Sequence, residues 1–90
     1  MEITEIRVFP VGEERLKAYV TITFDNCFLI RDLKIVLGNK GLYVAMPSKK
    51  RKDGTYQDIV HPLNSDMRKI IEDKVFVEYN RKIALLEHTS

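Results

Sequence analysis

The sequence has 90 residues, of which 44% are hydrophobic and 31% charged, and its formal net charge is +2. That length suits one globular domain, and the composition excludes a disordered or low-complexity chain. No apolar run approaches the roughly 20 residues of a membrane helix, and the first residues lack the basic start and apolar stretch of a secretion signal. Because Cys27 has no second cysteine to pair with, we expect a protein of the reducing cytoplasm without a membrane partner.

Alternating apolar residues predict the first strands of an antiparallel sheet. Residues 3–8 form a first strand, and residues 16–24 alternate cleanly between apolar and polar side chains. Residues 25–26 can reverse the chain into a further strand that starts at Phe28. In that strand the apolar residues change from even to odd positions, so a bulge near residues 31–32 is needed to keep one face buried.

The middle of the chain predicts further antiparallel strands. The glycine-containing turn at residues 38–41 leads into a strand over residues 42–46. Pro47 lacks an amide hydrogen and cannot continue a central ladder, so the chain leaves the sheet there and turns back at residues 53–54 into a strand over residues 56–60. The basic run Lys49, Lys50, Arg51 and Lys52 is therefore expected in a loop, beside a twisted sheet of about five strands.

A C-terminal helix is predicted to begin near Asn64 or Ser65, either of which can cap its free amides, while Asp66 complements its dipole. A 3.6-residue period predicts one apolar band that packs on the sheet: Met67, Ile70, Ile71, Val75, Val77 and Tyr79. The expected fold class is α+β, with one C-terminal α-helix packed on a twisted antiparallel sheet. We expect a single domain over residues 1–90, with a core of about 1–82 and a tail over 83–90.

Self-association is expected because one helix cannot cover the apolar face of about five strands. Phe76 is also predicted to project onto the charged side of the helix, where it would lack cover. A symmetric homodimer that pairs sheet edges or helix faces would cover both surfaces. The alternative is that Phe76 is an ordinary exposed aromatic residue of a monomer.

The basic run is the main functional signal, because it contributes +4 and leaves the rest of the chain slightly acidic. Clustered Lys and Arg side chains neutralise phosphates, so this run predicts a localised contact with nucleic acid. The alternatives are a solvated turn that keeps an edge strand soluble and, in a poor context, a nuclear localisation signal.

Other basic residues can extend this contact. Arg68 and Lys69 in the first helical turn are candidates, although each has an acidic residue four positions later, Glu72 and Asp73, and can form a surface ion pair instead. A lower-ranked candidate surface contains Lys17, Arg31 and Lys34.

No motif in the sequence predicts catalysis, a cofactor or a metal. His61 is expected to be structural, His88 lies near the end of the chain, and neither Cys27 nor any serine has the context of a nucleophile. The GxxG at residues 38–41 is flanked by strands and not by the helices of a KH loop. Tyr43 occurs in a segment that begins like an RRM strand, but it is not by itself a stacking surface.

Three segments carry a resemblance to a known family: GLYVAMPSKK at residues 41–50, DG at 53–54 and DIVHPLNS at 58–65. Together they closely resemble the signature of the stage V sporulation protein G family, and the resemblance extends over residues 1–8 and 32–35 and up to about Tyr79. The loop departs from the family pattern, because Arg51 and Lys52 stand where a threonine-proline pair is expected. The acidic tail of some relatives is also missing.

The resemblance implies a cytoplasmic bacterial regulator that binds DNA and RNA, affects septation, sporulation and gene expression, and dimerises through its sheet. It maps the basic contact onto Lys49, Lys50 and Arg51 of the loop and onto Arg68 and Lys69 of the helix; the charge pattern adds Lys52. The alternative is a protein-interaction module of the division machinery that does not bind nucleic acid. In that case the helix surface around Phe76 and a sheet edge bind the partner.

Overall fold

A four-stranded antiparallel sheet forms the body of the computed structural model, which describes residues 1–89. Its strands, in spatial order, are β1 (Ile3–Pro10), β2 (Leu16–Phe24), β3 (Phe28–Gly38) and β4 (Gly41–Ala45). A separate antiparallel pair consists of β5 (Ser48–Lys50) and β6 (Tyr56–Asp58), and the helix α1 spans Ser65–Thr89. The predicted α+β class is confirmed, with the strands divided between two sheets.

The division into two sheets occurs at Met46 and Pro47, both of which are buried. Pro47 has no amide hydrogen to donate to a ladder, but its carbonyl accepts a hydrogen bond of 2.7 Å from the Ile59 amide. The prediction that the whole basic run lies in a loop is wrong for Lys49 and Lys50, which belong to β5. The strand predicted over residues 56–60 is also shorter, because β6 ends at Asp58.

The hairpin between β2 and β3 has the predicted tight turn. Asp25 and Asn26 both have positive φ angles, 50° and 55°, and the Cys27 amide donates to the Phe24 carbonyl at 3.0 Å. Two central residues with positive φ define a type I′ turn, whose twist matches that of the flanking strands. The β1 strand is tied to this turn because the Glu2 amide donates to the Asp25 carboxylate at 2.9 Å.

The predicted bulge lies in β3 at Asp32, whose φ is +69°. On β2, Val20 and Ile22 are two residues apart, but their partners Leu33 and Ile30 are three residues apart. The extra residue restores the alternation, so the apolar residues before and after the bulge face the same side of the sheet.

The buried core lies between this inner face of the sheet and α1. It consists of Val8, Ala18, Val20, Ile22, Phe24, Leu33, Ile35, Val44, Met46, Ile71 and Val75. The opposite, outer face is not covered by any helix among residues 1–89. No helix in that range has both the length and the apolar character needed to span a membrane.

The helix begins as predicted, because the Asn64 side-chain oxygen accepts a hydrogen bond of 2.7 Å from the Met67 amide. Ile71 and Val75 of the predicted band are buried, and Met67 and Tyr79 pack against the core. The helix continues through position 89, so residues 83–89 are helical and not a separate tail; position 90 lies outside the described residues.

The predicted band is wrong at Ile70 and Val77, which are 45% and 69% exposed. Phe76 is the converse case, because it was expected on the charged side but packs against the core. On the helix surface, apolar residues lie on both sides of Ile71 and Val75: Phe76 and Tyr79 on one side, Ile70 and Val77 on the other. The helix turns the Phe76 and Tyr79 flank towards the sheet, since two large rings bury more apolar area than Ile and Val.

Shortening a side chain of the helix to alanine should therefore cost much stability on the buried side and little on the exposed side. Ile71→Ala removes buried side-chain volume and should lower the free energy of unfolding by ~2–5 kcal/mol. Val77→Ala, on the exposed flank of the same helix, should change it by less than about 0.5 kcal/mol. Urea denaturation followed by far-ultraviolet circular dichroism measures both values, and equal losses in the two variants would contradict the helix orientation described above.

Candidate nucleic-acid interface

The basic run lies on a two-stranded ribbon, the basic hairpin (residues 48–58), that projects from the end of the four-stranded sheet. In its ladder Lys49 pairs with Gln57 and Lys50 pairs with Tyr56. Because side chains alternate along a strand, the two lysines point to opposite faces of the ribbon. All eleven residues of the hairpin are exposed, so its cations are accessible from both sides and from the tip.

The tip of the hairpin is a three-residue loop made of Lys52, Asp53 and Gly54. The Arg51 amide donates to the Thr55 carbonyl at 2.6 Å, and the Gly54 amide donates to the Arg51 carbonyl at 3.0 Å. Gly54 has a φ of +91°, in the left-handed region that glycine adopts without steric cost. This is the pattern of a type I turn followed by a left-handed glycine, and it places Lys52 at the corner of the loop.

Asp53 fixes the loop from within, because its carboxylate accepts hydrogen bonds from the Thr55 amide at 3.0 Å and from the Thr55 hydroxyl at 2.7 Å. These bonds stabilise the charged carboxylate and hold the pKa of Asp53 below its usual range. The acidic residue therefore acts as the internal anchor of a turn whose other charged side chains are free to contact a ligand.

A shallow surface depression brings the basic hairpin and the start of α1 together. It is lined by Arg51, Tyr56, Gln57, Asp58, His61 and Arg68. The fold therefore places Arg51 and Arg68, which are 17 positions apart in sequence, on one surface that also includes an exposed tyrosine. Asp58 contributes the one carboxylate of that lining and limits the positive charge there.

Arg68 and Lys69 are not held in the ion pairs that their spacing allows. Although residues 68, 69, 72 and 73 are all described, neither Arg68 with Glu72 nor Lys69 with Asp73 comes within ion-pair distance, whereas Arg7 with Glu5 and Arg81 with Glu78 do. Lys69 is exposed but does not line the depression, so Arg68 is the helical cation that the fold joins to the hairpin.

The lower-ranked basic residues lie away from the hairpin, on β2 and β3. Lys17 donates to the Glu13 carbonyl at 3.0 Å, Arg31 is next to the bulge, and Lys34 is exposed opposite Tyr19. They do not join the hairpin surface, but Lys34 belongs to a separate arrangement on the outer face of the sheet.

Sequence reasoning missed Tyr56 and assigned His61 only a structural role. Tyr56 is 69% exposed and opposite Lys50, a placement that its position directly after the Asp-Gly turn could have indicated. His61 lies in the irregular segment between β6 and α1, where it lines both the depression and an apolar cavity of about 200 Å³. Within residues 1–89, no group of three or more His, Cys, Asp or Glu side chains is placed to hold a metal ion.

The Asp53 anchor predicts a pH-dependent turn. A lowered folded-state pKa means that the hydrogen bonds contribute stability above the ordinary carboxyl pKa and lose it as the pH falls through the folded-state value. In a nuclear magnetic resonance titration between about pH 6 and 2, the Thr55 amide shift should follow a transition below the usual Asp pKa of ~3.9. Asp53→Ala should abolish that transition, and an unchanged transition in the variant would assign it to another carboxyl.

These features define a class: small α+β proteins with one helix on a four-stranded sheet and an exposed basic β-hairpin beside the helix start. The sequence matches the family model described as SpoVG over residues 1–81. The predicted resemblance is confirmed, and the chain belongs to the SpoVG family, whose model ends before the last turns of α1.

Curated relatives support the same assignment. Each of three is named "Putative septation protein SpoVG". The one from Anaeromyxobacter sp. (strain K) is 65% identical over 83 residues, covering 92% of this chain and 82% of the relative. The one from Bdellovibrio bacteriovorus is 57% identical, covering 99% and 82%. The one from Clostridioides difficile is 43% identical, covering 97% and 96%.

Proposed function

We propose that this protein is a cytoplasmic, non-enzymatic regulator of septation that binds DNA or RNA through the basic hairpin and also influences sporulation and gene expression. The names of its relatives support the septation role. One observation carries the nucleic-acid proposal: four adjacent cations lie on an exposed hairpin, one of them, Arg51, lines a depression with Arg68, and none of the four is neutralised by an ion pair among the described residues.

The charge distribution favours a polyanion as the ligand. The basic hairpin has four positive side chains and two carboxylates, Asp53, which is already occupied by hydrogen bonds to Thr55, and Asp58, at the opposite end from the tip. Lysine and arginine side chains that contact phosphates release condensed counterions, which makes binding favourable and dependent on salt. Because the rest of the chain is nearly neutral, the attraction for a polyanion is concentrated at the hairpin.

The shape of the basic hairpin fits a nucleic-acid groove. The major groove of B-form DNA admits a two-stranded β-ribbon, and a ribbon with lysines on both faces can reach phosphates on both sides of the groove. Lys49 and Lys50 supply these opposite contacts, while Arg51 and Arg68 have guanidinium groups suited to bidentate bonds with phosphate or guanine.

We further propose that the protein acts as a homodimer. The outer strands β1 and β4 each have one edge that is not paired within the four-stranded sheet. Symmetric pairing of such edges removes exposed backbone groups and brings two hairpins into one assembly. A dimer would double the number of phosphate contacts and therefore strengthen the salt dependence.

The second candidate function is a protein-interaction module of the division machinery. The observation in its favour is the exposed flank of α1, where Ile70 is 45% and Val77 69% exposed, together with Leu63, which is 91% exposed just before the helix. Exposed apolar residues on a helix can bind a protein partner. Phe76 packs against the core, so this surface consists of the other flank of the helix.

Removing the hairpin charge tests the nucleic-acid proposal. Lys49→Ala/Lys50→Ala/Arg51→Ala/Lys52→Ala should weaken binding of labelled DNA and RNA and make the log-log salt slope less steep by about 3 to 4, because four phosphate contacts are lost. Fluorescence anisotropy across a salt series measures both quantities, and circular dichroism establishes that the variant remains folded.

A matched control loses the same charge elsewhere. Arg15→Ala/Lys40→Ala/Lys74→Ala/Arg81→Ala removes four exposed cations outside the hairpin and should retain most of the duplex affinity and slope. Equal losses in both variants would show general charge attraction and not a hairpin contact. A wild-type protein without affinity for nucleic acid would leave the division-machinery alternative.

The two helical cations should differ in importance. Arg68→Ala should weaken binding several-fold, because Arg68 faces the depression shared with Arg51, whereas Lys69→Ala should have a smaller effect. Arg68→Lys retains the charge but loses the bidentate geometry, so it should lie between wild type and Arg68→Ala. A larger loss for Lys69→Ala than for Arg68→Ala would place the contact on the other side of the helix start.

A further inference from the structure

The outer face of the four-stranded sheet, opposite α1, has aromatic side chains in adjacent strands. Phe9 of β1 pairs directly with Tyr19 of β2, and Tyr19 pairs in turn with Lys34 of β3. Their sequence neighbours Val8, Ala18 and Ile35 are buried in the core. Because side chains alternate between the faces of a sheet, Phe9, Tyr19 and Lys34 form one row across the outer face.

A third ring, that of Tyr43 on β4, lies on the same face. Tyr43 pairs with Val36, and its ring lies against Gly38 so closely that a Cβ atom at Gly38 would be 2.9 Å from the ring carbon Cε1. Glycine at position 38 therefore leaves room for the ring to lie over the β3 backbone. Sequence reasoning treated Tyr43 as an isolated aromatic, but the strand register places it on the same face as Phe9 and Tyr19, with β3 between Tyr43 and Tyr19.

These three rings remain accessible although the same sheet has a well-packed inner face. Phe9 is 52%, Tyr19 42% and Tyr43 49% exposed. Isolated exposed aromatic residues are ordinary, but this open face has an adjacent pair of rings, Phe9 and Tyr19, and a third ring on the far side of β3, which together offer apolar surface of the kind that binds a ligand.

The charged residues on this face are mainly positive. Lys34 extends the row of rings, and Arg7 and Arg31 lie at other outer-face positions of β1 and β3. Two acidic residues lie beside them: Glu5 on β1, which forms an ion pair with Arg7, and Asp32 in the β3 bulge next to Arg31. A second copy of this chain that docked through the same face would bring like charges together, whereas an anionic ligand with flat apolar groups would complement both features.

We propose that the outer face binds single-stranded nucleic acid by stacking unpaired bases on Phe9, Tyr19 and Tyr43, with Lys34 near the phosphates. Aromatic side chains on an open four-stranded sheet stack bases without reading their sequence, and cations beside them follow the backbone. Duplex DNA does not offer its base faces, because they are stacked on one another. The proposal rests on the nucleic-acid function proposed above and makes it specific for single strands at this second surface.

The outer face and the basic hairpin are connected along the β4 edge. Tyr43 lines a depression together with Tyr56 and Arg68, both of which also line the depression that contains Arg51. A single strand that contacts the hairpin can therefore continue along this edge onto the rings. The hairpin then supplies most of the charge contacts, and the sheet supplies the preference for unpaired bases.

The test compares Phe9→Leu/Tyr19→Leu with wild type for a labelled oligothymidylate of roughly 12 nucleotides and for a duplex of the same length. Leucine keeps an apolar side chain but removes the stacking ring. The single-strand Kd should rise at least about tenfold, while the duplex Kd and both salt slopes change little because no charge is lost. Phe28→Leu, at a 61% exposed ring outside this face, is the matched control and should resemble wild type.

A measurement on the wild-type protein complements the variants. Photocross-linking with an oligonucleotide that contains 5-iodouracil, followed by peptide mass spectrometry, should label Phe9, Tyr19 or Tyr43. Labelling confined to the helix, or an unchanged single-strand Kd in the double-leucine variant, would overturn the inference. Equal weakening of single-strand and duplex binding with a change of oligomeric state would also overturn it, because the face would then be a subunit interface.

The outcomes separate this inference from the hairpin proposal. If only the hairpin quadruple variant loses affinity, the hairpin contact stands and the stacking inference fails. If only Phe9→Leu/Tyr19→Leu loses single-strand affinity, the stacking surface stands and the hairpin assignment fails. If the wild-type protein binds neither oligonucleotide, both proposals fail.

Discussion

The packing of Ile71 and Val75 of α1 into the inner face of the sheet determines both the surface around the basic hairpin and the open outer face of the sheet. That contact fixes the rotation of the helix and so directs Arg68 towards β6 and Arg51, while Ile70 and Val77 remain exposed. It also leaves the opposite face of the sheet open. A domain of this size has little surplus stability, so it cannot give up this core packing. The packing in turn determines where the charged and aromatic groups are exposed.

The inner face of the sheet is apolar along its whole length only because β3 contains a bulge. Without the extra residue at Asp32, either Ile30 or Leu33 would be on the wrong side of the sheet, since a one-residue shift reverses every side chain beyond it. The bulge therefore keeps the core apolar on one side and also sets Lys34 and Val36 on the outer side. The position of Lys34 in the row of Phe9 and Tyr19 is a consequence of the requirement to bury Leu33 and Ile35.

The sequence predicted those features that depend only on a few neighbouring residues. The turn at Asp25, the bulge at Asp32 and the Asn64 cap all follow from short patterns, and the family resemblance covered the same segments. The helix orientation was mispredicted because apolar residues flank both sides of the Ile71 line and only tertiary packing chooses between them. The depression at Tyr56 and the outer row of rings depend on strand register between distant segments, which a single sequence specifies only weakly.

Chemical-shift mapping tests the central claim, that the basic hairpin and Arg68 form the nucleic-acid contact, most directly. Nitrogen-15-labelled protein would be titrated with a short duplex and, separately, with a single strand, while every backbone amide is followed. We expect shifts at residues 49–58 and around Arg68 with both ligands, and further shifts at Phe9, Tyr19 and Tyr43 with the single strand alone. Shifts confined to the exposed helix flank at Ile70 and Val77, or no shifts with either ligand, would contradict it.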